Sequence, residues 1–170
     1  MNPQQPPAPA PPQMSWQAPP PELGPAPGIR FAGYAQRLLA YIVDAVILGV
    51  VVVILSFVLF AIVAGAASSN SDGLAAAGVV VWLILILVVS LAYFPYFWAR
   101  SGQTPGMQMF RLRVVRDVDG GPISGTAAVL RLFGYWVNQV VFYIGFIWIF
   151  VDKRRRGWHD LIAGTVVIEY

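Results

Sequence analysis

The chain has 170 residues, of which 58% are hydrophobic and only 11% are charged, whereas roughly a quarter of an ordinary soluble domain is charged. This composition excludes a soluble fold and predicts an all-α membrane protein whose main partner is the lipid bilayer. The absence of cysteine excludes disulfide frameworks, thiolate metal sites and cysteine nucleophiles. The formal charge of +3 comes from basic residues between the apolar runs, so we expect no nucleic-acid partner.

The N-terminal segment, residues 1–28, holds eleven of the fourteen prolines and almost no apolar side chain. It cannot bury enough surface to offset the loss of chain entropy, so we predict a disordered, proline-rich tail. A solvated tether is the simpler interpretation, and a ligand for a proline-recognising domain is the alternative. Since no signal-peptide pattern precedes it, we expect the first membrane helix to act as an uncleaved insertion signal.

Residues 29–170 form the predicted transmembrane domain, and two apolar runs open it. The first run, at about 38–64, contains a single charge, Asp44. The second, at about 79–98, ends in aromatic residues that are typical of a headgroup boundary. At 1.5 Å per residue, each run is long enough to cross a hydrocarbon core of ~30 Å. We therefore predict two transmembrane helices.

Basic residues follow the second run but are absent from the loop before it, residues 65–78. The positive-inside rule then places the N-terminus and the segment after the second helix in the cytoplasm. Within that segment, Phe110, Leu112 and Val114 alternate with arginines, and a second β-prone run covers residues 165–170. These patterns predict a short cytoplasmic β element.

The third apolar run, at about 127–151, is long enough to span once but contains Arg131, Asn138, Gln139 and Gly145. A third span would place the basic residues 153–156 outside, against the positive-inside rule. A re-entrant hairpin near Gly145 would return them to the cytoplasm and let the two β-prone runs meet. We favour the hairpin and keep the third span as the alternative.

Asp44 is the first candidate ligand-binding or ion-binding residue, because a carboxylate inside a membrane helix is costly unless it is paired, hydrated or protonated. Arg37 lies seven positions earlier, about two helical turns away, and therefore on nearly the same face. The functional hypothesis is a polar site at which Asp44 binds a cation or a proton. The structural alternative is that Asp44 pairs with an arginine of another segment, with Arg131 as the candidate, and fixes helix packing.

The remaining polar residues do not predict an enzyme. His159 and Asp160 are adjacent and are expected to point apart, so they do not predict a catalytic pair. Asp160 is instead expected to cap the following turn or to accept a hydrogen bond from Arg37. With one histidine, no cysteine and no clustered acids, we expect no metal site, and the absence of phosphate-binding glycine motifs predicts no bound cofactor.

Three motifs resemble the RDD family of bacterial membrane proteins: YAQRLLAYIVDAVIL, SGQTPGMQMFRLRVV and RRRGWHDLIAGTVVI. The resemblance covers about residues 29–170 and matches the family's arginine and two aspartates to Arg37, Asp44 and Asp160. It implies that these three residues belong to one site. Members often have a lysine where this chain has Met107, so no role for that lysine carries over.

The resemblance implies transport of unidentified ligands more than any defined activity. Our first hypothesis is a transport or ion-coupling component in which Asp44 carries a proton or cation, Arg37 tunes its charge or binds an anionic ligand, and Asp160 orders Arg37. Two spans and a hairpin enclose little space, so we expect a homo-oligomer or a membrane-protein partner. The second hypothesis is a structural or assembly protein that recruits partners through its cytoplasmic face and proline-rich tail.

Overall fold

The computed structural model describes residues 24–25, 28–68 and 72–170, so the predicted tail lies almost entirely outside the described residues. Six helices and three strands make up the described part of the chain. In chain order they are β1 Arg30–Phe31, α1 Tyr34–Ser68, α2 Asp72–Ser101, α3 Pro105–Met109, β2 Leu112–Arg116, α4 Gly125–Val140, α5 Ile144–Ile147 with a following 3-10 turn Trp148–Phe150, α6 Trp158–Ala163 and β3 Thr165–Glu169.

Helices α1 and α2 are long and apolar enough to cross a membrane, which confirms the two predicted spans. Both exceed the predicted bounds, because the apolar pattern marks only the part that matches the hydrocarbon core, whereas helical hydrogen bonding continues through the polar ends. Large apolar side chains project outward along both helices. Phe57 and Phe60, for example, are 71% and 72% exposed, as lipid-facing residues should be. The protein is therefore a multi-pass membrane protein.

The three strands form one antiparallel sheet in the order β1-β3-β2. Residues Leu112 to Arg116 pair with Glu169 to Thr165, so the two β-prone runs of the sequence meet as predicted. Strand β1 was not predicted, because two residues, Arg30 and Phe31, are too few to show an alternation. The fold is consequently mostly helical with a small sheet rather than purely α-helical.

The third apolar run is not one continuous helix. Helix α4 ends at Val140, and α5 begins at Ile144 after a bend of 112°. Phe142 and Tyr143 have φ angles of 53° and 61°, a left-handed conformation that interrupts helical hydrogen bonding. The Tyr143 N–H donates to the Asn138 carbonyl at 2.7 Å and closes the turn. The run therefore bends beside Gly145, where the favoured hairpin placed its turn, and one unbroken helix over residues 127–151 does not form.

The buried core lies at one end of the two long helices, against the sheet. It combines Ala40 of α1 and Trp98 of α2 with residues of α3, α4 and the two longer strands. Its buried members are Ala32, Ala40, Trp98, Met107, Leu112, Val114, Ile123, Ala128 and Val167. The remaining length of α1 and α2 faces outward, and the buried polar side chains of the described residues lie at this end.

Candidate functional site

Asp160 lies between two arginines at the centre of the buried end. The Arg37 Nη1 donates to Asp160 Oδ2 at 2.7 Å, and the Arg131 Nη1 donates to Asp160 Oδ1. Arg131 also donates to the Thr165 hydroxyl at 2.8 Å. The Asp160 side chain is fully buried, and Arg37 and Arg131 are almost so. We call Arg37, Arg131 and Asp160 the ion triad, and it joins α1, α4 and α6.

The start of α6 positions the Asp160 carboxylate. Asp160 occupies the third position of α6 and accepts the Gly157 N–H at 3.0 Å, as the acidic residue of a capping box does. Gly164, in the left-handed conformation, ends the helix and directs the chain into β3. The predicted capping role of Asp160 and its predicted contact with Arg37 thus occur together.

Burial alone would raise the pKa of the Asp160 carboxyl. The charges of Arg131 and Arg37 and the hydrogen bond from Gly157 outweigh burial and hold this pKa below its usual range. Burial also lowers the pKa of His159 to about 3, with the nearby arginines adding to the effect and Asp160 opposing it. At neutral pH the site therefore contains two guanidinium cations, one carboxylate and a neutral imidazole.

His159 fills the space between α4 and the ion triad. Its ring lies 4.4 Å from the Tyr135 ring and 5.0 Å from the Phe146 ring, and its Nδ1 is 3.3 Å from the Asn138 amide nitrogen. Its Nε2 lies 3.4 Å from Asp160 Oδ2. The prediction that these neighbours point apart is wrong, because both residues contact α4: His159 packs against Gly134, and Asp160 binds Arg131.

Asp44 occupies a separate, equally buried position. Its carboxylate accepts hydrogen bonds from the Tyr93 hydroxyl at 2.9 Å, from the Gly106 N–H at 2.8 Å and from the Thr104 hydroxyl. A Cβ at residue 106 would lie 2.9 Å from the Asp44 carboxylate, so only glycine allows this approach. Asp44 thereby fastens α3 and α2 to α1.

The predicted pairing of Asp44 with Arg131 does not occur, because the packing of α4 on α6 directs Arg131 to Asp160. Sequence reasoning also missed the residues that bind Asp44, namely Tyr93, Thr104 and Gly106. The available signal was the segment 102–106, which lies inside one of the three motifs that resemble the RDD family.

A small cavity of about 20 Å³ lies between Asp44 and the ion triad, lined by both arginines, Asp44, Trp98 and Thr104 among others. The Nε atoms of Arg37 and Arg131 and the Trp98 Nε1 are buried and have no hydrogen-bond partner among the described residues. The Arg131 guanidinium also lies 4.9 Å from the centre of the Trp98 ring, a cation–π distance. The cavity has room for about one water molecule, and it is the feature that Asp44 shares with Arg37.

A larger pocket of about 300 Å³ lies on the other side of Arg37. Helix α1 contributes one face of it at helical spacing, and α4, α5 and His159 contribute the opposite wall. The lining residues are Tyr34, Arg37, Leu38, Tyr41, Tyr135, Gln139, Tyr143, Phe146, Ile149 and His159. We call this cavity the Arg37 pocket. Within the described ranges, no group of three or more His, Cys, Asp or Glu residues is placed to hold a metal ion.

Comparisons with known proteins show which family the chain belongs to. The RDD family model matches residues 31–164. The uncharacterized protein YxaI of Bacillus subtilis is 31% identical over 147 residues, which cover 81% of this chain and 96% of that protein. The uncharacterized protein RP437 of Rickettsia prowazekii is 30% identical over 83 residues, 49% of this chain and 46% of its own length. A proline-rich antigen homolog of Mycobacterium tuberculosis is 26% identical over 88 residues, 49% of this chain and 37% of its own length. No solved structure matches the chain.

Proposed function

The chain belongs to the RDD family, and from this premise we propose that it is a non-enzymatic transport component that binds an anionic ligand in the Arg37 pocket. Arg37 supplies the charge, Asp160 orders Arg37, and the walls of the pocket select the ligand. The observation that carries the proposal is a guanidinium held at one end by an ion pair and bordering an open pocket at its other side.

The charges of the ion triad support an anion as the ligand. Two guanidiniums share the single carboxylate of Asp160, so the ion triad carries one uncompensated positive charge. A buried charge is costly unless it is paired, and an anion in the pocket would supply the missing partner. Because Arg37 is already held by Asp160, little side-chain entropy is lost when the ligand binds.

The test uses a charge placed inside the pocket. Gln139 lines the pocket and is exposed, so Gln139→Glu should fold and present its own carboxylate to Arg37. With inorganic phosphate and sulfate as probes, thermal unfolding in detergent should show anion stabilisation in the wild type and its loss in Gln139→Glu. Gln108→Glu, an exposed change outside the pocket, is the control. Equal stabilisation of all three proteins would contradict the proposal.

We also propose that the sheet and the ion triad face the cytoplasm of a bacterial plasma membrane and that α4 and α5 form a re-entrant hairpin. Support comes from the pairing of β2 with β3, since these strands flank the third apolar run on either side. The basic residues 153–156 then fall on the same side as the other arginines, in agreement with the positive-inside rule. The exposed apolar faces of α1 and α2 leave space for a homo-oligomer, which the mass of the protein in detergent would test.

The ion-carrying role of Asp44 stays a prediction. If Asp44 couples a proton or cation to transport, Asp44→Asn should abolish flux in proteoliposomes while insertion and anion binding persist. If Asp44 only fastens α3 to α1, the same substitution should lower stability and binding together. The assembly hypothesis makes a different prediction: deletion of residues 1–28 should then remove function, whereas a transport component should tolerate that deletion.

A further inference from the structure

We infer that the ligand of the Arg37 pocket is an anionic lipid whose headgroup reaches Arg37 and whose first chain atoms lie along the apolar wall. This inference rests on the proposed function, because it names the class of anion that the same pocket binds. Four lining residues of α1, at positions 34, 37, 38 and 41, follow the spacing of one helix face. The polar and apolar parts of the pocket therefore lie side by side on the same helix.

The polar part of the pocket is rich in donors. Arg37 lines the pocket and shares the carboxylate of Asp160 with Arg131. Tyr34, Tyr41 and Gln139 line the same pocket, and their side chains make no hydrogen bond to the described chain. The two tyrosine rings pack against aromatic neighbours. A headgroup with several acceptor oxygens, such as a phosphodiester, would accept hydrogen bonds from Arg37, from the tyrosine hydroxyls and from the Gln139 amide.

The apolar part of the pocket adjoins the lipid-facing surface. Leu38 lies at the start of the apolar run of α1 and is 42% exposed, and Phe146 and Ile149 form the opposite wall. Arg37 immediately precedes Leu38, so the pocket straddles the polar–apolar boundary of the helix. In a bilayer this is the depth at which lipid headgroups meet their chains.

The size of the pocket agrees with partial enclosure of a lipid. A volume of about 300 Å³ is at the lower end for ligand sites. It holds a headgroup and the beginning of a chain, and the rest of the chain would stay in the surrounding bilayer. A soluble anion would contact Arg37 equally well but would leave the apolar wall without a partner.

The experiment compares lipids retained by the detergent-purified full-length protein in native mass spectrometry. Phosphatidylglycerol should be retained about tenfold better than zwitterionic phosphatidylcholine. Leu38→Trp should fill the apolar wall and reduce this retention about tenfold. Leu39→Trp is the matched control, since Leu39 is 47% exposed on the same helix and does not line the pocket.

Equal retention of the two lipids, or equal effects of the two tryptophan variants, would overturn the inference, since both results indicate unspecific surface lipid. Soluble glycerol 1-phosphate carries the phosphate group of the lipid but no acyl chains, so it tests whether the chains contribute to binding. If glycerol 1-phosphate displaces phosphatidylglycerol at equal concentration and binds Leu38→Trp normally, the lipid class is wrong and the proposed anion site stands. If neither compound binds the wild type and Gln139→Glu changes nothing, both proposals fail.

Discussion

At the scale of single residues, the ion triad is the most consequential contact set. Asp160→Asn removes the carboxylate from between two buried guanidiniums, and breaking a buried pair in this way costs on the order of 3–5 kcal/mol. The matched control is Asp119→Asn, because the Arg116–Asp119 pair is half exposed and exposed pairs contribute about 0–1 kcal/mol. Unfolding midpoints in detergent should therefore fall sharply for Asp160→Asn only. Equal midpoints in the two variants would contradict the structural role of the triad.

His159 and Asp160 give stability a defined pH dependence. Because the pKa of His159 falls to about 3 in the folded protein, the unfolded chain binds a proton between pH 6.5 and 3 that the folded chain does not. The free energy of unfolding must then decrease as pH falls through this window. The pKa of Asp160 is lowered in the folded protein, so its protonation removes further stability once the pH falls below the ordinary aspartate pKa of 3.8.

His159→Gln should therefore flatten the stability profile between pH 6.5 and 4, where Asp160 contributes little. The measurement is chemical unfolding in detergent at a series of pH values, with wild type and variant compared at each. The expected slope for one proton is at most about 1.4 kcal/mol per pH unit. If the slope of unfolding free energy against pH is the same in His159→Gln as in the wild type, groups other than His159 cause the pH dependence.

Residue chemistry was only partly predictable from sequence. Arg37 and Asp160 were identified because a named motif contains them, and their contact follows from an arginine facing a carboxylate. The partners of Asp44 were not identified. Thr104 and Gly106 lie 60 or more positions away and contribute only one hydroxyl and one backbone N–H. No local pattern shows that such small donors will meet a distant carboxylate.

At the scale of elements, close packing of α4 on α6 fixes the position of Arg131. A Cβ added at Gly134 would lie 2.5 Å from the His159 Cα, which is backbone and cannot move aside. Gly134→Ala should separate the two helices and destabilise the protein by about 1–3 kcal/mol, as overpacking does. Gly49→Ala on α1 is the control, since nothing lies within 4 Å of its added Cβ. Thermal unfolding of both variants in detergent checks the difference.

Apolar patterns predicted two of the longer elements of this chain correctly but did not fix the shape of the third apolar run. The two long helices were predicted because sustained apolar runs have few alternatives in a bilayer. The third run has a similar composition, yet it bends at Phe142 and Tyr143, two residues with no intrinsic preference for the left-handed conformation. Contacts of Asn138 and Gly145 with the α6 region favour the bend, and those contacts are visible only in three dimensions.

At the scale of the whole molecule, the sheet connects distant parts of the chain. Strand β3, at the C-terminal end, lies between β1 and β2, so residues near both ends of the RDD region meet. Pairing of the two β-prone runs was predictable from the alternation in the first run, from the β-prone composition of the second and from the charge rule. Because β2 pairs with β3, the third apolar run begins and ends near the same sheet. The ion pair between Arg37 and Asp160 depends on this arrangement.

The central claim is that both flanks of the third run lie on the cytoplasmic side, and the absence of cysteine allows a direct test. Val118, before α4, and Lys153, after the 3-10 turn, are exposed, so a single cysteine can replace either residue. With an impermeant thiol reagent, both should be protected in intact cells and label only after permeabilisation, whereas Asp72→Cys should label from outside. Labelling of Lys153→Cys in intact cells would place Asp160 across the bilayer from Arg37 and contradict the account.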